Sequence, residues 1–245
     1  ITFDNVCFAY NDEDGDVLHD INIAVPANHT VALVGESGAG KSTLVDMMSL
    51  LLPPRTGEIR IDGVPHHEVD VNSWRDQIGY VSQETAIFDD TVANNISLWQ
   101  GDIEEDPALR ERVIHAAERA HADHFIRDLP NGYQTMVGDR GVRLSGGQRQ
   151  RLFVARELFK QPNLLLLDEA TSDLDTASEQ HIQDSVDSLQ GEVTVVIIAH
   201  RLSTVQNADR VYVLDEGRVI EAGTYDELRM REDGEFREMV EMQSL

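Results

Sequence analysis

Gly35-Glu36-Ser37-Gly38-Ala39-Gly40-Lys41-Ser42 decides how the rest of the chain is read. It fits the pattern G-x-x-x-x-G-K-[ST], whose glycines let successive backbone N–H groups converge on phosphate oxygens at the start of a helix. In such a loop the backbone from Gly35 to Gly40, together with Thr43, cradles a nucleoside triphosphate. Lys41 reaches its β- and γ-phosphates, and Ser42 offers a hydroxyl to Mg²⁺. The flanks agree with that reading. Residues 30–34 are apolar and β-branched, which predicts a strand leading in. Residues 41–52 predict an amphipathic helix leading out, stopped by Pro53-Pro54.

A second glycine turn, Leu144-Ser145-Gly146-Gly147-Gln148, opens another predicted helix over residues 147–159. Gly146 and Gly147 free backbone amides at a helix start, so this is a second phosphate cradle. By chance the first pattern arises in roughly one chain in a hundred of this length and the second in a few per ten thousand. Their co-occurrence therefore carries meaning. Next comes Leu164-Leu165-Leu166-Leu167-Asp168-Glu169, an apolar strand ending in two carboxylates. Ligands of open α/β sheets bind at such strand ends. Asp168 fits the Mg²⁺-holding acid that partners a phosphate loop, and Glu169 fits the general base that orients water. His200 follows the apolar run 193–199 and is expected at the same sheet edge. His66, His67, His115, His121 and His124 are read as ordinary surface or core histidines, because no carboxylate or cysteine set completes a metal site around them.

The 245 residues suffice for a substantial core. No apolar run approaches the roughly 18 residues that span a bilayer. The chain opens on Ile1 and runs straight into an alternating strand pattern, so an excised cytosolic piece without a signal peptide is expected. Its single cysteine, Cys7, forms no disulfide framework and is expected as a small core residue on a strand. Forty-five Asp and Glu face 20 Lys and Arg, only two of them lysines, for a net charge of −25. That balance argues against nucleic acid and against direct lipid binding, both of which rest on cationic surfaces. Self-repulsion of this size calls for screening by salt. A source with a salt-rich cytoplasm is the expectation; an ordinary acidic protein that prefers Arg to Lys is the alternative.

Strands are predicted at 1–8, 21–25, 30–34, 58–64 and 78–82, then helices at 107–119 and 121–129. A helix carrying Ile182, Val186 and Leu189 on one face precedes the strand at 193–198. A hairpin over 211–220 and two short acidic helices close the chain. The pattern is an α/β core with a helical insertion, and nothing divides the chain into sequential domains.

Taken together, these residues resemble the nucleotide-binding domain of ABC transporters, over essentially the whole chain. The resemblance implies a P-loop NTPase (RecA-like) core with an N-terminal antiparallel β subdomain and an inserted α-helical subdomain. On that view residues 1–245 form one ATP-binding domain. Residues 1–83 and 151–245 make the catalytic core, and 84–150 the insertion that carries Leu144 to Gln148. Tyr10 matches the aromatic that stacks on adenine, and Gln83 the glutamine that senses Mg²⁺ and the membrane partner. His200 is similar to the γ-phosphate histidine, and Ser172-Asp173-Leu174-Asp175 to the loop after the acidic pair. Residues 88–96, 137–141 and 221–228 resemble the exporter branch. Asp173, Asp139 and Tyr225 depart from the usual Ala, Glu and His, and none of these removes a catalytic group.

The implied machine is a head-to-tail dimer, identical or not, closing on two ATP. Each ATP lies between one P-loop and the partner's Ser145, Gly146, Gly147 and Gln148. Its implied catalytic residues are Glu169, His200, Lys41 and Gln83, its Mg²⁺ ligands Ser42, Gln83 and Asp168, and its place the cytoplasmic face of a membrane, attached to transmembrane domains. The readings weighed against it are a soluble ATPase acting on nucleic acid or ribosomes, an importer ATPase, and a non-hydrolytic nucleotide sensor.

Overall fold

The computed structural model describes residues 1–11, 15–82, 86–168, 176–199 and 201–243. Its centre is a six-stranded sheet in the order β12-β11-β3-β10-β9-β6. The strands are β3 (Thr30–Gly35), β6 (Ile78–Val81), β9 (Leu164–Asp168), β10 (Thr194–Ile198), β11 (Arg210–Asp215) and β12 (Arg218–Gly223). All neighbours are parallel except β12, which returns antiparallel from β11. Uninterrupted apolar runs such as residues 164–167 suit this position, because a parallel strand is covered on both faces. Alternate residues go to opposite sides. Ala32, Val34, Leu165, Leu167, Val195 and Ile197 join one core, and Val31, Leu33, Leu164, Leu166, Val196 and Ile198 the other.

The second core is closed by α1 (Lys41–Met48) and by a four-stranded antiparallel sheet, β2-β1-β4-β5. Its strands are β1 (Thr2–Phe8), β2 (Leu18–Ala24), β4 (Thr56–Ile61) and β5 (Val64–Pro65). The helix α2 (Val71–Arg75) seats Trp74 in the same core.

The first core is closed by helices. Between β6 and β9 the chain forms β7 (Asp90–Thr91), α3 (Val92–Ser97), α4 (Pro107–Arg119), α5 (Asp123–Arg127), β8 (Met136–Val137) and α6 (Gly146–Phe159). The expected boundary at residue 150 falls inside α6, a single helix whose Leu152, Ala155 and Leu158 are buried. Helix α7 (Thr176–Ser188) buries Ile182 and Val186 there, and α8 (Tyr225–Arg229) and α9 (Glu235–Gln243) contribute Leu228 and Phe236. Cys7 lies on β1 and is half-buried; its sulfur accepts from the Asp20 backbone N–H at 3.3 Å. No helix among the described residues is long and apolar enough to cross a membrane.

The predicted helix 41–52 ends four residues early, at Met48, and Leu50 turns left-handed at φ 55°. The reason lies far along the chain. Trp74 Nε1 donates to the Met48 carbonyl at 2.9 Å, and Arg75 donates to those of Ser49 and Leu50 at 3.2 and 2.8 Å. Carbonyls at a helix end need partners, and α2 supplies them before the prolines are reached.

Candidate nucleotide site

Strand β3 delivers the glycine loop to the sheet's carboxyl edge, and α1 carries it away. Gly35 has φ 148°, and a Cβ there would stand 2.1 Å from the Leu214 carbonyl oxygen. Gly40, the N-cap of α1, has φ 98°, and a Cβ would stand 2.5 Å from Leu18 Cδ2. Gly40 offers no side-chain cap, so the first-turn amides and dipole of α1 face the loop. Lys41 is only 5% exposed. Its ammonium donates to the Gly35 and Glu36 carbonyls at 2.9 and 2.7 Å, which holds the charge inside the loop. Glu36, Ser37, Gly38 and Ser42 are exposed along its rim, while Ala39 and Thr43 are buried. Such a loop is the anion site of a strand–loop–helix unit.

Tyr10 stands at the mouth. The residue is 57% exposed, its ring meets Phe8 edge-to-face at 4.9 Å, and its hydroxyl hydrogen-bonds Thr43 Oγ1 at 2.9 Å. An exposed aromatic tied to the first turn of α1 can take a planar ligand on its face.

Across the sheet edge, Asp168 ends β9. Ser42 Oγ approaches its Oδ1 at 3.5 Å, and Tyr80 Oη on β6 donates to its Oδ2 at 3.0 Å. Burial first, then the Asp168 charge, pushes the Tyr80 phenol well up, so it stays a proton donor. Burial and the same charge also raise the Asp46 carboxyl on α1. Sequence reasoning gave Tyr80 no role; its only signal was its place near the end of β6, three residues before Gln83. Gln83, Glu169, Asp173 and His200 lie outside the described residues.

The second glycine turn is built differently. Ser145 is the N-cap of α6, its hydroxyl accepting from the Gln148 N–H at 3.2 Å while Gln148 Oε1 accepts from the Ser145 N–H at 2.9 Å. This reciprocal capping box satisfies the helix start from within. Ser145 and Gly146 are exposed, Gly147 is buried and Gln148 half-buried. Helices α6 and α1 belong to cores on opposite faces of the central sheet.

The segments 88–96 and 137–141, separate in sequence, meet in space. Strand β7 pairs with β8, and Asp89 Oδ1 accepts the Arg140 N–H at 3.0 Å. Arg156, also missed from sequence, is buried on α6. It donates to the Asn95 carbonyl and Oδ1 at 2.7 and 2.9 Å and to the Ala86 carbonyl at 2.9 Å. It thus ties the cradle's helix to α3 and to the residue just beyond 83–85.

The fold and loop define the class of P-loop nucleotide-binding domains. Residues 18–172 match the family described as ABC transporter. A lipid A-core flippase of Coxiella burnetii is 45% identical over 244 residues, covering 99% of this chain and 40% of that protein. The putative multidrug export ATP-binding/permease protein YgaD of Bacillus subtilis is 43% identical, covering 100% of this chain and 41% of that protein. A solved bacterial Atm1-family ABC exporter with ATP bound superposes at TM-score 0.87 with 43% identity, covering 100% of this chain and 42% of that one. The chain belongs to the ABC transporter family and spans about two fifths of the length of these relatives.

Proposed function

We propose that this chain is the ATP-binding and ATP-hydrolysing domain of an exporter, working as a head-to-tail pair on the cytoplasmic face of a membrane. The carrying observation is the meeting of Lys41, Ser42, Tyr80 and Asp168 at one sheet edge. The relatives named for export favour this reading over an importer or a nucleic-acid machine. So does a net charge of −25.

Triphosphate binding rests on the amides of residues 35–40, Lys41 and the α1 dipole, with Tyr10 beneath the base. The donors at Ser42 and Asp168 suit Mg²⁺: both are oxygens, and their 3.5 Å separation exceeds by about 0.6 Å the roughly 2.9 Å between neighbouring ligands of an octahedral shell, a gap that rotation of the exposed Ser42 side chain closes. When bound, Mg²⁺ neutralises charge on the β- and γ-phosphates. Burial, and after it the Asp168 charge, raise the pKa of Tyr80 and of Asp46, and a cation beside Asp168 offsets the second of these causes. Gln83 is the third proposed ligand. Glu169 orients the attacking water, and Lys41 and His200 stabilise charge developing on the γ-phosphate. The turn Ser145-Gly146-Gly147-Gln148, whose Ser145 and Gly146 are exposed, meets the γ-phosphate held by a second copy or a related chain. Residues 84–150 form the lobe that presents this turn to the partner, with 1–83 and 151–245 as the catalytic core.

The test is Glu169→Gln. It is expected to bind ATP as the parent does, to lose turnover by about 10²–10⁴-fold, and to accumulate an ATP-bound dimer by light scattering. Unchanged phosphate release would remove Glu169 from this role.

A further inference from the structure

We propose that His121, His181 and Asp184 form a binding site for a borderline transition-metal ion of the zinc class. One imidazole nitrogen from each histidine and one carboxylate oxygen lie within 4.8 Å of one another. Two imidazoles and a carboxylate make up a three-residue zinc donor set, with the fourth tetrahedral position left to water. Hard cations such as Mg²⁺ and Ca²⁺ favour oxygen donors instead. At metal–ligand distances of about 2.0–2.1 Å, tetrahedral donors stand roughly 3.4 Å apart. The trio therefore has to close by about 1.5 Å at most. His121 and Asp184 are half-buried and His181 is exposed, so side-chain rotation can supply that.

The backbone brings the three together from two elements. His181 and Asp184 are three residues apart on α7 and so share a face. Gln180 Nε2 donates to Asp184 Oδ1 at 2.9 Å, a contact that orients the carboxylate. His121 comes from the turn after α4, where it takes φ 49° and the Ala122 N–H bonds the Ala117 carbonyl at 2.8 Å. Glycine or asparagine usually fills such a left-handed helix-ending position. A histidine there adds an imidazole that the turn itself does not need. Its ring lies nearly parallel to that of His181, at 28° and 6.5 Å between centroids. The His121 carbonyl accepts from Arg151 Nη1 on α6 at 3.1 Å. A bound ion would thereby link the helix that begins at the second glycine turn to α7. The site is separate from the pocket around Ser42 and Asp168 and uses none of its residues.

The experiment titrates Zn²⁺ into untagged, chelator-treated protein without nucleotide, by calorimetry, and repeats it with Co²⁺ to read the absorption of a tetrahedral site. The parent is expected to bind one equivalent that His121→Asn and His181→Gln each lose. Zn²⁺ should raise the thermal midpoint of the parent and of neither variant. Asparagine tolerates the left-handed turn, and His181 is exposed on its helix, so two independent variants keep the fold in play. No bound equivalent in the parent, or the same stoichiometry and midpoint shift in both variants, would overturn the assignment.

Discussion

The turns at 35–42 and 144–148 both spend glycines on starting a helix, but they leave those helices in opposite states. Helix α1 begins at a left-handed Gly40 with no side-chain cap, and its lysine is folded into the loop. Helix α6 begins at Ser145, inside a closed capping box. The first start keeps its amides for an anion brought from outside; the second is complete as a helix end, and its exposed rim is a surface. The two helices also lie on opposite faces of one sheet. A glycine-rich helix start is therefore not one kind of site, and which kind it is depends on what caps it and which core it backs onto.

The largest effect is expected from Lys41→Ala, which removes the side-chain cation held by the first loop's carbonyls. Nucleotide titration and phosphate release should show loss of binding and a fall in turnover of about 10²–10³-fold or more. Ser145→Arg is the matched probe of the second turn. Binding of ATP by a single chain is expected to be unchanged while ATP-dependent association is lost. If single-chain affinity drops instead, the contrast between the turns collapses. Ser145→Ala asks only for the cap, and urea denaturation should record a loss of about 1 kcal/mol.

The smallest effect belongs to Asp46→Asn beside the first loop. The Asp46 carboxyl is raised in the folded protein by burial and by Asp168. Its ionised form therefore opposes folding above the folded pKa, and the penalty vanishes below the unfolded one. The variant is expected to gain less than about 1 kcal/mol at neutral pH. That gain should fade as the pH drops into the range where Asp46 is protonated in both states. A gain that persists in acid would assign the effect to packing instead.

Legibility followed the range of the forces involved. Helix α4 was readable to the residue: Asp106 caps its start, Pro107 takes its first position, and the left-handed His121 follows its last turn. The interior strands β3, β9 and β10 were readable because burial on both faces leaves an unbroken apolar run. The end of α1 was not, since its carbonyls are satisfied by Trp74 and Arg75. Helix α3 was passed over although Thr91 caps it, because six residues give too short a period to register. In the site, the loop and Asp168 stood out by pattern. Tyr80, Arg156 and the His121–His181–Asp184 trio did not, because each depends on partners dozens of residues away. His121 reads as an ordinary histidine from sequence, with no carboxylate or cysteine set around it; α7 brings in His181 and Asp184 from another part of the chain.

Parallel pairing of β3 also sets a timetable. Its two sheet neighbours are β10 and β11, and Val31 pairs with Val196 and with Arg210, more than 160 positions downstream. A ribosome working at about 5–20 residues per second leaves β3 without either neighbour for roughly ten to thirty seconds. Throughout that wait the nascent chain carries the glycine loop on an apolar strand with both edges open. Among the described strands, β3 therefore gives cellular chaperones the longest opportunity.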